Sequence, residues 1–198
     1  MTTENRRITK QELQRIIAKS ELHLDWSKDT SWLNLIPAYT SGFWHIVLPL
    51  VVKHDCKIVL SGRQSMKEDF ALDVNTTMIV PGLIDQMRIA KLKLPFEKFN
   101  IIGTGASQVL PRHVEYIFQN GCKVFNHCYG TTEIGSPVLG HRTYSIDESN
   151  CWLELDNNCE IVNNELIYNG IATADLFQVK ENLIKFNNFL FVSSVNCK

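Results

Sequence analysis

Two glycine-rich segments carry the residue types from which a phosphate or nucleotide site can be built. Gly103-Thr104-Gly105-Ala106-Ser107 follows the run Asn100-Ile101-Ile102, and Tyr129-Gly130-Thr131-Thr132-Glu133 follows Val124-Phe125. Glycine lets the backbone approach a planar or anionic ligand, and threonine hydroxyls bond phosphate oxygens. In the second segment a carboxylate comes directly after two hydroxyls, and a hard cation such as Mg²⁺ prefers carboxylate oxygen. As residue types alone, each segment is equally a tight turn, and both readings stay open at this stage. Gly103-x-Gly105 is a weak start for a dinucleotide fingerprint, because Gln108 stands where the third glycine belongs. Ser107 lacks the flanking glycines of a nucleophile elbow, and no G-x-x-x-x-G-K-[ST] loop is present.

The elements that must position these segments alternate. Thr9 and Glu12 form a capping box, Ile8 can staple onto Leu13, and Leu13, Ile16 and Ile17 recur at helical spacing, which predicts a helix to about Ser20. Trp32 to Ile36, Lys57 to Leu60, Thr76 to Val80, Phe99 to Ile102 and Lys123 to Cys128 read as short apolar strands. Phe43 to Val52 reads as a buried helix with Pro49 as a kink. Pro81 and Pro111 each open a helix, the second ended by Gly121. The expected fold class is α/β: a parallel sheet flanked by helices over residues 1–140, carrying both glycine-rich segments. From 141 to 198, short strands at Cys151 to Leu155, Glu160 to Val162, Glu165 to Tyr168 and Leu183 to Phe186, separated by Asn- and Asp-rich turns, predict a small antiparallel β subdomain.

Composition narrows the class. The chain has 198 residues, 44% hydrophobic and 21% charged, as a globular protein does, with a formal net charge of -1. That balance gives no reason to expect nucleic acid or an anionic membrane as partner. The longest apolar run, Ile46 to Val52, falls far short of the roughly 20 residues that span a bilayer. With a polar N-terminus, the expected location is cytoplasmic. Six cysteines form no C-x-x-C pair and are expected to be reduced and mostly buried.

The string Phe125 to Gly135, F-N-H-C-Y-G-T-T-E-I-G, closely resembles the Y-G-x-T-E motif of the adenylate-forming superfamily, which includes acyl- and aryl-CoA ligases and peptide-synthetase adenylation domains. Other landmarks follow in the same order. Leu35 to Tyr39 with Leu48-Pro49-Leu50 and Lys57 to Leu60, Thr76 to Leu83, Gly103 to Ala106, Asn164-Glu165-Leu166 and Thr173 to Leu176 each resemble a family segment. The resemblance implies ATP or AMP and Mg²⁺ as cofactors and a small carboxylic acid as substrate, and residues 39–45, Y-T-S-G-F-W-H, suggest an aromatic one. It implies that Gly105, Ala106 and Tyr129 flank adenine, with Gly130 in the same turn. Thr132 bonds the α-phosphate, Glu133 holds Mg²⁺ and Asp175 accepts from the ribose hydroxyls. Thr132 and Glu133 are thus the implied catalytic residues.

Departures from the pattern qualify the expected activity. The family's phosphate loop and its C-terminal lysine have no counterpart in this sequence. Ala174 replaces the glycine of T-G-D, His127 stands two before Tyr129, Thr40 replaces a usual histidine, and Asn187 or Asn188 stands where arginine is expected. The expectation is a truncated ligase-like core that binds AMP, ATP or an acyl-adenylate but does not adenylate alone, working with a separately encoded half. The alternative is a non-catalytic interaction module, joined to a partner chain or a second copy through apolar surface around Trp26, Trp32, Phe43 and Trp44. A third reading is a small-molecule pocket walled by Tyr39 and the Gly103 to Ala106 loop.

Overall fold

The computed structural model describes residues 9–11, 13–15, 17–18, 29–40, 42–61, 65–131 and 134–187. Residues 10, 11, 13–15, 17 and 18 are helical, and the Leu13 N–H donates to the Thr9 carbonyl at 3.0 Å. Ile8, Glu12 and Ile16, on which the expected staple, capping box and apolar face depend, lie outside the described residues, as do Trp26 and everything after Asn187.

Five short strands, β1 (Ser31–Asn34), β2 (Lys57–Leu60), β3 (Thr76–Met78), β4 (Ile101–Thr104) and β5 (Phe125–Thr131), pair in parallel, and β6 (Gly135–Thr143) adds antiparallel to β5. The strand order is β2-β1-β3-β4-β5-β6. Alternating side chains send Leu33, Ile102 and Phe125 into one core, beneath α2 (Met66–Ala71), α3 (Pro81–Ile89) and α4 (Pro111–Gln119). Trp32, Met78 and Cys128 enter a second core on the opposite face, with Ile46 and Val47. The central strands β1, β3 and β4 are thus covered on both faces, while the edge strand β2 leaves Leu60 exposed.

The second sheet is antiparallel, in the order β7-β11-β10-β9-β8. Its strands are β7 (Leu153–Glu154), β8 (Cys159–Val162), β9 (Glu165–Tyr168), β10 (Ile171–Lys180) and β11 (Leu183–Phe186). Leu153, Leu166, Phe177 and Ile184 pack with Tyr129, Ile134, Val138 and Leu139, so the β5–β6 hairpin belongs to one sheet and closes the core of the other. Among the described residues, no helix is long and apolar enough to cross a membrane.

Several expectations need correction. β4 starts at Ile101, because Asn100 donates instead to the Asn75 carbonyl and the Phe99 N–H closes a 3₁₀ turn at Phe96–Lys98. Gly103 and Thr104 therefore lie inside the strand. β5 runs on to Thr131 because β6 pairs with it from Phe125↔Thr143 to Thr131↔Gly135. The helix around Pro49 is not buried throughout: Trp44, Val51 and Val52 are exposed. Pro49 has no N–H to donate, and the chain takes a π-helical turn at Phe43–Val47, closed by the Leu48 N–H on the Phe43 carbonyl, before α1 (Leu48–His54). Trp32 is core, only 1% exposed, and not interaction surface. Cys56, Cys122, Cys128 and Cys151 are buried, Cys159 is partly so, and none of these five forms a disulfide. Burial pushes the Cys122 and Cys128 thiols up to about 12, so both stay protonated.

One buried imidazole ties α4 to α3. His113 Nδ1 accepts the Leu110 N–H at 3.1 Å, satisfying a donor at the helix start, so the ring proton sits on Nε2, 3.1 Å from Asp85 Oδ2. Arg112 grips the same carboxylate at 2.9 and 2.8 Å. Its hydrogen bonds hold the Asp85 carboxyl well below the usual range, while burial lowers the His113 pKa against the opposing pull of Asp85. A second protonation would put hydrogen on Nδ1, facing the Leu110 N–H.

His113→Ala should cost about 1 kcal/mol in urea unfolding, the usual size of a lost helix cap. Because the folded-state pKa of His113 lies below its ordinary 6.5, its stabilisation is present above that pH and lost as pH falls through the folded value. The unfolding free energy should therefore decline from pH 7 toward 5, a slope that His113→Ala flattens. Ala174, at φ +58°, holds a left-handed conformation inside β10. Ala174→Gly should raise stability by about 0.5–1 kcal/mol, strain relieved less the entropy of glycine, seen as a higher urea midpoint.

Candidate functional site

The carboxyl ends of β4 and β5 lie side by side, where an open parallel sheet binds ligands. The chain leaves β4 through Gly105, and there only glycine fits. A Cβ there would collide with the Cys128 carbonyl oxygen and come within 3.1 Å of Met78 Cε. Ala106 follows at φ +68°, exposed on the turn. Thr104 does not offer its hydroxyl to a phosphate: it is fully buried and donates to the Ile79 carbonyl at 2.7 Å. Gln108 Nε2 reaches the Phe186 carbonyl at 3.1 Å, tying this exit to the second sheet.

Tyr129 stands next to the Cys128 carbonyl against which Gly105 packs. Its ring meets Phe177 edge-on, 5.2 Å between centroids, and its hydroxyl donates to Asp175 Oδ2 at 2.7 Å. The β5–β6 register breaks between Tyr129 and Thr131, where Gly130 sits. The shielded hydroxyl oxygen of Thr131 has no hydrogen-bond partner among the described residues. Thr132 and Glu133, the implied phosphate and metal residues, lie outside the described residues.

Asp175 is set by a local irregularity in β10, whose pairing with β9 shifts between Ala172 and Leu176. The left-handed Ala174 donates its N–H to Glu165 Oε1 at 2.8 Å. The Asp175 N–H meets Thr173 Oγ1 at 3.3 Å, and that hydroxyl donates to the Leu166 carbonyl at 2.9 Å. The half-buried Asp175 carboxylate is thus aimed from its own strand and held from the other sheet by Tyr129.

Gly105 therefore packs on the backbone next to Tyr129, and Tyr129 bonds Asp175, with Ala106 and Gly130 adjoining in the chain. His127, on the same face of β5 as Tyr129, is buried, and that burial pushes its pKa down to about 3. It is neutral, bonded to the Trp152 backbone, while its Nδ1 has no partner among the described residues. Of the residues in the third reading, Tyr39 is 86% exposed, and Gly103 packs within the sheet on Met78. The pairing of Tyr129 with Asp175, and the supporting Thr173, Glu165 and Phe177, are missing from the sequence reading. No local signal links positions 46 residues apart.

A hard divalent cation needs only one or two carboxylates when phosphate oxygens complete its shell. Among the described residues, no group of three His, Cys, Asp or Glu side chains could hold a metal by itself.

No family model matches the sequence, and no curated protein matches it. The fold does match solved structures. An Escherichia coli MenE variant with bound OSB-AMS superposes with a TM-score of 0.68 at 15% identity, covering 90% of this chain and 44% of that one. An acyl-CoA synthetase (AMP-forming)/AMP-acid ligase II-like protein from Dyadobacter fermentans gives 0.68 at 15% identity, over 91% and 54%. Apo MatB from Rhodopseudomonas palustris gives 0.74 at 10% identity, over 93% and 46%. The chain spans about half the length of the structures it matches, and over that span it has the fold of the adenylate-forming enzymes.

Proposed function

We propose that this chain is an acyl- or aryl-CoA-ligase-like member of the adenylate-forming superfamily, binding AMP, ATP or an acyl-adenylate at the surface joined by Gly105, Tyr129 and Asp175. The observation that carries this reading is the 2.7 Å bond from Tyr129 to Asp175, which unites two sequence motifs from different sheets. A carboxylate has about four acceptor positions, and the phenol takes one while fixing its plane, which suits the vicinal hydroxyls of a ribose. Gly105, packed on the Cys128 carbonyl, brings the chain leaving β4 close to the backbone next to Tyr129, and the purine is assigned to this junction. The bound adenylate analogues of neighbours, OSB-AMS in MenE and a keto acyl adenylate in a peptide-synthetase adenylation domain, support a nucleotide joined to a small acid.

In this reading Thr132 bonds the α-phosphate, and Glu133 supplies the carboxylate for Mg²⁺, with phosphate oxygens completing the shell. Mg²⁺ held there would offset the charge of the nucleotide phosphates. Asp175 and Tyr129 orient the ribose and base, and Gly105 sets how closely the base can sit. The unpartnered Thr131 hydroxyl is a further donor beside the phosphate residues.

Calorimetric titration with AMP, ATP and ATP plus Mg²⁺ tests the assignment. Asp175→Ala should weaken AMP by roughly 10- to 100-fold, the worth of a charge-assisted hydrogen bond or two. Gly105→Ala should abolish binding, because its Cβ meets the Cys128 carbonyl. Glu133→Gln should remove only the increment that Mg²⁺ adds to ATP. AMP binding that Asp175→Ala leaves unchanged, in a variant that melts normally, overturns the site.

A further inference from the structure

A cavity of about 470 Å³ lies between α4, the β6–β7 connection and β11, and it shares no residue with the surface around Tyr129 and Asp175. Its size is that of a small-ligand site at the junction of two structural units. Val114 and Cys151, both buried, form its apolar floor, and Trp152 and Ile146 form its walls. Ile146 is 52% exposed, an aliphatic side chain left at the mouth.

Polar groups converge on this apolar chamber. Lys185 places its ammonium 5.9 Å from the Trp152 ring centroid. Among the described residues, that ammonium has no carboxylate partner. Glu115 stands exposed at the rim, and Asp147 lines the wall. Asp147 is already committed, because its Oδ1 accepts from the Ser149 N–H at 2.7 Å and from the Ser149 hydroxyl. Burial keeps Cys151 a neutral thiol.

The wall is braced rather than loose. The Asn150 side chain, 1% exposed, accepts the Asp147 N–H at 2.6 Å and donates to the Ser145 carbonyl at 3.0 Å. His141 bridges Glu154 at 3.0 Å and Ser149 at 3.1 Å, pinning the same turn to β6 and β7. Side chains locked by such bonds keep a site open at no further ordering cost when a ligand arrives.

We propose that this cavity binds a small organic monoanion with an aromatic body, its charge on Lys185 and its ring between Trp152 and Ile146. An unpaired ammonium in a partly enclosed apolar chamber calls for a negative group, and the indole and aliphatic walls call for a flat apolar one. The two carboxylates set the limit on charge. Beside one lysine, Glu115 and Asp147 repel a second negative charge, so nucleoside phosphates are excluded. The proposal is independent of the nucleotide reading.

The test is calorimetric titration of the whole chain with 3-phenylpropionate, compared with 3-phenylpropanol, phenyl phosphate and AMP. Saturable binding of 3-phenylpropionate is expected in the millimolar range or tighter, with the neutral alcohol weaker and AMP unable to compete. Lys185→Met should weaken the acid roughly five- to tenfold while leaving the alcohol unchanged. Ile146→Trp, at the exposed mouth, should block both. Glu115→Gln should tighten the acid and admit phenyl phosphate, and Asp175→Ala should change nothing here. No saturable heat with wild-type protein, or binding that neither Lys185→Met nor Ile146→Trp alters in variants with normal melting curves, overturns the proposal.

Discussion

The register of β5 is the constraint on which the rest of the structure depends. Side chains alternate along a strand, so Phe125 enters the helix-covered core, Cys128 the core on the other face, and Tyr129 the core shared with the second sheet. A slip by one residue would turn all three to the wrong side. The slip is opposed from both edges: β4 pairs in parallel through Ile102↔Phe125 to Thr104↔His127, and β6 pairs antiparallel along the full strand. Burying Phe125 alone is worth about 2 kcal/mol, and each further apolar residue of the strand adds to the same choice. With that register held, the Tyr129 hydroxyl has one place to be, beside Asp175.

The second sheet meets this demand with a distorted strand. For Asp175 to face Tyr129, β10 breaks its pairing with β9, and Ala174 turns left-handed to allow it. A glycine suits this position, as in the T-G-D motif that the segment resembles, because an L-residue adopts the conformation only at a cost. The Glu165 carboxylate on the Ala174 N–H and the Thr173 hydroxyl beneath Asp175 hold the strained turn in place. Retaining the turn without its glycine keeps the geometry of the carboxylate and sacrifices some stability.

Much of this was legible in the sequence, and the rest was hidden for physical reasons. Pro81 and Pro111 mark two helix starts, and the left-handed Gly121 ends the second helix. Glu165–Tyr168 and Leu183–Phe186 match the expected strands residue for residue. β10, the longest strand, went unread because Ala172, Thr173, Ala174 and Asp175 have neither the alternation nor the bulk of a strand, and pairing on both sides outweighs their weak preference. The ends of β4 and β5 were misplaced for the same cause: partner strands, not local composition, decide where pairing stops. At the site, the residue types of Gly105, Tyr129 and Asp175 were visible, but the bond between the last two was not. It depends on a fold that brings together residues from separate sheets.

The two surfaces of interest are held by one short strand. Along β11, Ile184 and Phe186 face the core beneath Tyr129, and the ring of Phe186 meets Phe177 at 5.5 Å. Lys185, between them, necessarily points the other way, to Trp152 and the cavity. The Phe186 carbonyl also takes the hydrogen bond of Gln108 from the chain leaving β4. A four-residue strand thus spaces the glycine turn, the aromatic pair and the lysine of the cavity by the pleat alone. Side chains set in opposite directions from one rigid backbone keep the Tyr129–Asp175 pair and the Lys185 cavity apart. That separation follows from the period of the strand and needs no further device.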